Sequence, residues 1–213
     1  MARWGRMWSR MRTWISGQLH RHGGIALLVL IFIALGLHYG DTTPIFEGPG
    51  EPWHYLRVES YAGERPSPAL AELRAAKRRG PEDAEPPLYY WLAASLVRGV
   101  SIAQDETNYT LNPWVVTGDP ASTGNRNAVV RLAPDDPPYQ GVSAAVHRLR
   151  ALGVLLSAMT VCLVYAMARV MAPTRRDLAV GAAAVAAFTP GFLFRSALVH
   201  NAALATLTST GAL

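Results

Sequence analysis

The run IALLVLIFIALGLHY, residues 25–39, carries no formal charge, and with Gly23 and Gly24 it reaches about the shortest length that crosses a hydrocarbon core. Its reading decides the fold, because a chain of 213 residues with half of them apolar could otherwise form one or two soluble domains. Two further runs repeat the pattern. Residues 151–172, ALGVLLSAMTVCLVYAMARVMA, are interrupted by Arg169 near one end, where a long side chain can carry its charge back to water. Residues 178–199, LAVGAAAVAAFTPGFLFRSALV, contain Pro190, which breaks a soluble helix but is tolerated in a bilayer where neighbouring segments satisfy the freed carbonyl. The expectation is an all-α polytopic membrane protein with about three transmembrane helices, at residues 24–40, 147–172 and 178–199. Residues 200–213 read as the start of a fourth helix, so the chain stops in mid-pattern, as a fragment would.

Charge orients the spans. Arg3, Arg6, Arg10, Arg12 and Arg21 precede the first span with no acidic residue among them, which predicts a cytoplasmic N-terminus. Fourteen of the fifteen acidic residues lie within residues 41–136, against nine basic ones, so the long segment 41–146 is expected outside the cell membrane. The link 173–177, with Arg175 and Arg176, returns to the cytoplasm. Within residues 1–23, Trp4, Met7, Trp8, Met11, Trp14 and Ile15 recur at helical spacing, as in an interfacial helix on an anionic leaflet, with a disordered basic tail as the alternative. A secretory signal peptide is the rival reading of the start, but no small-x-small cleavage site follows the apolar core.

The outer segment is too long for a plain connector. In FEGPGEPWHYLRV, residues 46–58, Glu51 stands at a cap position and Pro52 at a first helical position, predicting a juxtamembrane helix near residues 51–62. The helix dipole favours a carboxylate there, so Glu51 has a structural reading before any chemical one. EPPLYYWLAASLVRG predicts a second juxtamembrane helix near residues 86–99, too short to span, with Tyr89, Tyr90 and Trp91 suited to the headgroup zone. Residues 67–85, with Lys77, Arg78 and Arg79, read as a solvated loop, and residues 101–141 as an ordered loop rich in turn formers. Asn108 and Thr110 match a glycosylation sequon, a match common by chance. The single Cys162 provides neither a disulfide framework nor a thiolate metal site. Overall basicity comes from cytoplasmic arginines, with no basic patch interleaved with stacking aromatics, so a nucleic-acid partner is not expected.

The order of a basic N-terminus, one span, PGEPWHYLRV, EPPLYYWL, NPWVVTGDPASTGNRNAVVR, HRLRALGVLLSAMTVCLVYAMAR and AFTPGFLFRSALVHNAAL resembles the start of polytopic glycosyltransferases of the GT-C superfamily. More narrowly, it is similar to bacterial family-39-like membrane transferases, distant kin of protein O-mannosyltransferases. The resemblance implies transfer of a sugar from a polyprenyl-phosphate donor, within membrane lipid, to a glycan, lipid or protein acceptor at the extracytoplasmic face. It implies an acidic base in the first outer loop, where Glu51 lies, because an attacking hydroxyl must lose its proton. His54, three residues on, would orient that carboxylate or bind an acceptor, or simply pack at the interface. Arg57 and Arg195 are the candidates for the departing phosphate, or else snorkelling arginines, and Tyr89 and Asn201 complete the expected substrate-binding set. Relatives usually carry an Asp-Glu pair where this chain has Gly50 and Glu51, and a second acidic motif where it has His200, Asn201 and Ala202. Those departures keep a non-catalytic, degenerate membrane protein of the same fold as the alternative. A transporter is a weaker reading, because the span centres are almost wholly apolar. The resemblance does not decide whether a divalent metal assists; Asp41, Glu47, Glu51 and His54 have no recognised coordination spacing.

Overall fold

The computed structural model describes residues 2–63, 85–100, 111–115, 127–131 and 136–213. Among these, seven helices and one isolated antiparallel bridge, between Leu111 and Val129, make an all-helical molecule. Helix α1 spans Ala2–Thr42 without a break, so the expected division between residues 1–23 and the first span is not a break in the helix. It stops where Pro44 can no longer supply an N–H, and the Thr42 hydroxyl donates to the His38 carbonyl, 2.9 Å away, in its last turn.

Gly50 then adopts φ 79°, a left-handed conformation that costs glycine little, and turns the chain into α2, Glu51–Ala62. Glu51 is the first helical residue and Pro52 the second, so the helix starts one residue earlier than the sequence implied. Helix α3, Leu88–Val97, follows two prolines and packs against α2. Both short helices therefore form near where the capping and proline signals put them.

Helix α4, Gly141–Met171, is the central element; α1, α3 and the three helices that follow all pack on it. It starts six residues before the expected 147, adding nearly two turns beyond the apolar run. The expected third span, 178–199, is not one helix. It divides into α5, Arg176–Phe188, and α6, Pro190–Ser196, which meet at 65°. Pro190 cannot donate to the preceding turn, and the Thr189 hydroxyl instead donates to the Val185 carbonyl at 2.7 Å. Helix α7, Ala202–Gly211, closes the chain against α4.

Among the described residues, two helices are long and apolar enough to cross a membrane, within His22–Thr42 and Gly141–Met171, and a third if the bent pair is one span. Two cores follow. Phe32, Val154, Ala158, Val161, Ala183 and Leu193 fill the space between α1, α4, α5 and α6. Tyr55, Val58, Tyr90, Ala94, Val146 and Leu149 bury α2 and α3 against the first turns of α4. This second core holds the loop helices at the end of the bundle where α1 stops, which is where the polar groups collect. The described parts of the long loop join this end, as the Glu47 carboxylate accepts the N–H groups of Ala128 and Val129 at 2.9 and 2.8 Å. Lys77 to Arg79 and the Asn108 sequon lie outside the described residues.

Candidate functional site

Helix α2 begins inside the protein. Glu51 is fully buried, and Arg150, immediately before the long apolar stretch of α4, reaches it from across the bundle. Arg150 Nε donates to Glu51 Oε1 at 2.9 Å and Nη2 donates to Oε2 at 2.8 Å, a forked pair. The remaining guanidinium N–H groups donate to the carbonyls of Gly40, Thr43 and Pro44 at 2.6, 2.7 and 2.8 Å. All five donors of the guanidinium are thus used. The Val199 N–H donates to Glu51 Oε1 at 3.0 Å, so the same carboxylate also holds the turn between α6 and α7. The lone pairs of this carboxylate are committed to a guanidinium and a backbone amide. Its evident work is to clamp four segments together.

One turn further along α2, His54 is also buried. Its Nδ1 lies 2.7 Å from the Tyr90 hydroxyl of α3, and that hydroxyl donates to Glu85 Oε2 in turn. The hydroxyl must therefore accept from Nδ1–H, which leaves the lone pair of the imidazole on Nε2. Burial, and then the adjacent Glu85 carboxylate, push the Tyr90 hydroxyl well above its ordinary range, so it stays protonated as a donor. Arg57 fixes this row from below: it donates to the Glu85 carbonyl at 2.8 Å and lies 4.3 Å from the centre of the Tyr90 ring. Glu85, Tyr90 and His54 form an ordered chain of the kind that orients a histidine base.

His200 sits beside this chain, its ring centre 4.3 Å from that of His54. The Ala202 N–H donates to His200 Nδ1 at 2.9 Å, which places the ring proton on Nε2. Arg195 Nη2 lies 3.4 Å from that same Nε2. With that tautomer the Arg195 guanidinium and the His200 ring both present N–H groups here, and the Asn201 side chain also hydrogen-bonds the ring. Burial, reinforced by the Arg195 charge, holds His200 below its ordinary range, with Glu85 and Asn201 acting in the opposite direction. Both residues line a cavity of about 320 Å³, walled by Phe192 and Ala203 and reached by Ser157 and Thr206. A smaller cleft of about 190 Å³ adjoins α3 and α7 and is lined by Tyr89, Asn201, Leu204 and Thr208. Burial, partly offset by the His200 backbone, also raises the Tyr89 hydroxyl.

The structure therefore gathers the six residues expected from sequence at one end of the bundle, in three settings. Glu51 is in the clamp, His54 and Arg57 are in the ordered chain, and Arg195, Tyr89 and Asn201 line cavities. Sequence reasoning missed Arg150, Glu85 and His200 as partners. Arg150 had a usable signal, since an arginine at the edge of an apolar span demands a counter-charge. Among the described residues, no three histidine, cysteine or carboxylate side chains converge as a metal-ligand set. No family model, curated protein or solved structure matches the chain.

Proposed function

We propose that this chain forms the donor-facing part of a polytopic membrane glycosyltransferase, with its N-terminus cytoplasmic and its polar end on the extracytoplasmic side of the cell membrane. In this reading the bent pair α5 and α6 is the third span and α7 begins a fourth. The donor is a sugar on a polyprenyl phosphate. The observation that carries the reading is the pairing of Arg195 Nη2 with His200 Nε2, 3.4 Å apart, both residues lining a largely apolar cavity. One phosphate oxygen between them would accept from both, and the apolar walls suit the first isoprene units. Charge developing on the departing phosphate is then met by preorganised donors.

In this proposal His54, whose Nδ1 is tied through Tyr90 to Glu85, takes the proton of the acceptor hydroxyl. Glu51, the first candidate for that role, holds the site together instead. Tyr89 and Asn201 line the path by which lipid or acceptor approaches. The forked bond of Glu51 to Arg150 also favours a second reading, a membrane protein of the same architecture that binds the lipid phosphate without transfer.

Transfer separates the two. With labelled polyprenyl-phosphate sugar and cell-envelope membranes as the acceptor mixture, the reconstituted chain should incorporate label, and His54→Gln should reduce the rate at least a hundredfold. Incorporation unchanged in His54→Gln would remove the proposed base. Binding of the donor without incorporation would leave the non-catalytic reading.

A further inference from the structure

Helix α3 is apolar on every side. Between Glu85 and Arg98 the chain carries no charge, and the helix is ten residues long, about half of what a span needs. One face, Tyr89, Tyr90, Ala93, Ala94 and Val97, is committed to the core shared with α2 and α4. The opposite face repeats at helical spacing as Leu88, Trp91, Leu92, Ser95 and Leu96, and all five are exposed, Leu88 at 59% and Trp91 at 61%. Of the three aromatic residues expected in the headgroup zone, Tyr89 and Tyr90 are thus buried in protein, and Trp91 faces outward. The polar member of the exposed face asks nothing of its surroundings, because the Ser95 hydroxyl donates to the Leu92 carbonyl at 2.6 Å. A helix apolar all round is ordinarily covered on both faces.

The neighbours of α3 say what covers it. Its core includes Val142, Val146 and Leu149 of α4, on the turns that lead into the apolar run from Ala151. The twenty-one helical residues from Ala151 to Met171 measure about 32 Å, the thickness of a hydrocarbon core, so Leu149 stands at its edge. Across the cleft of about 190 Å³, Leu88 and Tyr89 face Leu204, Ala205 and Thr208 of α7. Helix α7 continues inward from there, since a Cβ on Gly211 would lie 3.6 Å from Leu163 of α4, twelve residues past Ala151. The first turn of α3 therefore stands beside a helix that follows the membrane-length stretch inward, and Leu88 belongs both to the cleft and to the exposed stripe. At the other end Arg98, exposed just past the last turn, can reach the headgroups. At this depth acyl chains are the surrounding medium, and a face with no unmet hydrogen bond is suited to them.

We propose that the face formed by Leu88, Trp91, Leu92 and Leu96 is immersed in the acyl chains at the edge of one leaflet, with the tail of a bilayer lipid entering the cleft between α3 and α7. The proposal rests on the membrane-spanning architecture and not on the transferase reading. Its test uses the intact chain with Cys162→Ser in phosphatidylcholine vesicles, carrying bimane in turn at Leu88→Cys, Leu92→Cys and Leu96→Cys. Reference labels sit at Leu155→Cys, exposed within the apolar run of α4, and at Trp114→Cys, exposed on the loop. The α3 labels should emit to the blue of the Trp114 label, lose more intensity to a nitroxide on the acyl chain than to one on the headgroup, and be untouched by aqueous iodide. Stronger quenching from the headgroup, or quenching by iodide, would overturn the immersion. Exclusion of iodide and of both nitroxides would place protein against the face and overturn the lipid. Iodide reaching the Leu155 label as well would remove the span itself and the proposal with it, so the two failures are distinct. Ala205→Trp, which fills the cleft, should reduce acyl-nitroxide quenching at position 88 and leave position 96 unchanged; no change at 88 would overturn the tail in the cleft. Three separately labelled, exposed positions keep the test decisive if one variant fails to fold.

Discussion

Removing the Glu51 carboxylate would leave a guanidinium buried at the junction of α1, α2 and α4, so Glu51→Ala should destabilise the chain by about 3–5 kcal/mol. Arg150→Met should cost a similar amount, and the double variant Glu51→Leu/Arg150→Met should recover much of the loss, because neither charge is then stranded. Denaturant unfolding of the reconstituted protein reads all three, and a double variant no better than the singles would refute the clamp. At His200 the sign of the pH effect follows from burial and the Arg195 charge, which lower its pKa in the folded state. The unfolded chain then binds the proton more readily, so this contribution to stability is full above about pH 6.5 and is lost as pH falls towards the lowered value. Protonation also adds a cation beside Arg195. Affinity for a sugar phosphodiester, whose own charge is constant, should therefore rise as pH falls below 7, and His200→Gln should flatten the profile. The prominence of Glu51 was legible in its position before proline at the head of a helix. Its role was not, because Arg150 lies 99 residues away and a local pattern carries no sign of that pairing.

Packing at the element scale depends on glycines that let backbones approach. A Cβ on Gly153 of α4 would lie 2.7 Å from the Ser196 carbonyl oxygen and 3.2 Å from that of Leu198, both backbone atoms that cannot swing aside. Gly153→Ala should therefore destabilise by about 1–3 kcal/mol and disturb the turn carrying His200. Gly181 of α5 meets nothing within 4 Å, and Gly181→Ala should be neutral or stabilising by up to about 1 kcal/mol. Thermal unfolding of the two variants side by side checks the contrast, and equal destabilisation would count against this packing. Helix positions were readable where a cap, a proline pair or an apolar run marked them, as for α2 and α3. The bend at Pro190 was not, since proline in an apolar run permits either a tolerated kink or a full break. Here Thr189 satisfies the carbonyl of Val185 and the break is complete.

At the scale of the molecule, one bundle end carries two cavities on the flanks of α4. Arg195 and His200 line one, and Asp41 and His147 line the other. Apolar runs made the membrane-length helices legible, but the cavities arise from side chains brought together over long separations. The most direct test of the central claim is equilibrium binding of polyprenyl phosphate and of unphosphorylated polyprenol to the intact chain in phosphatidylcholine nanodiscs. The phosphate should be preferred at least tenfold, and Arg195→Gln should abolish most of that preference, as expected for one charged hydrogen bond of about 1.5–3 kcal/mol. Equal binding of the two lipids, or a preference untouched by Arg195→Gln, would contradict it.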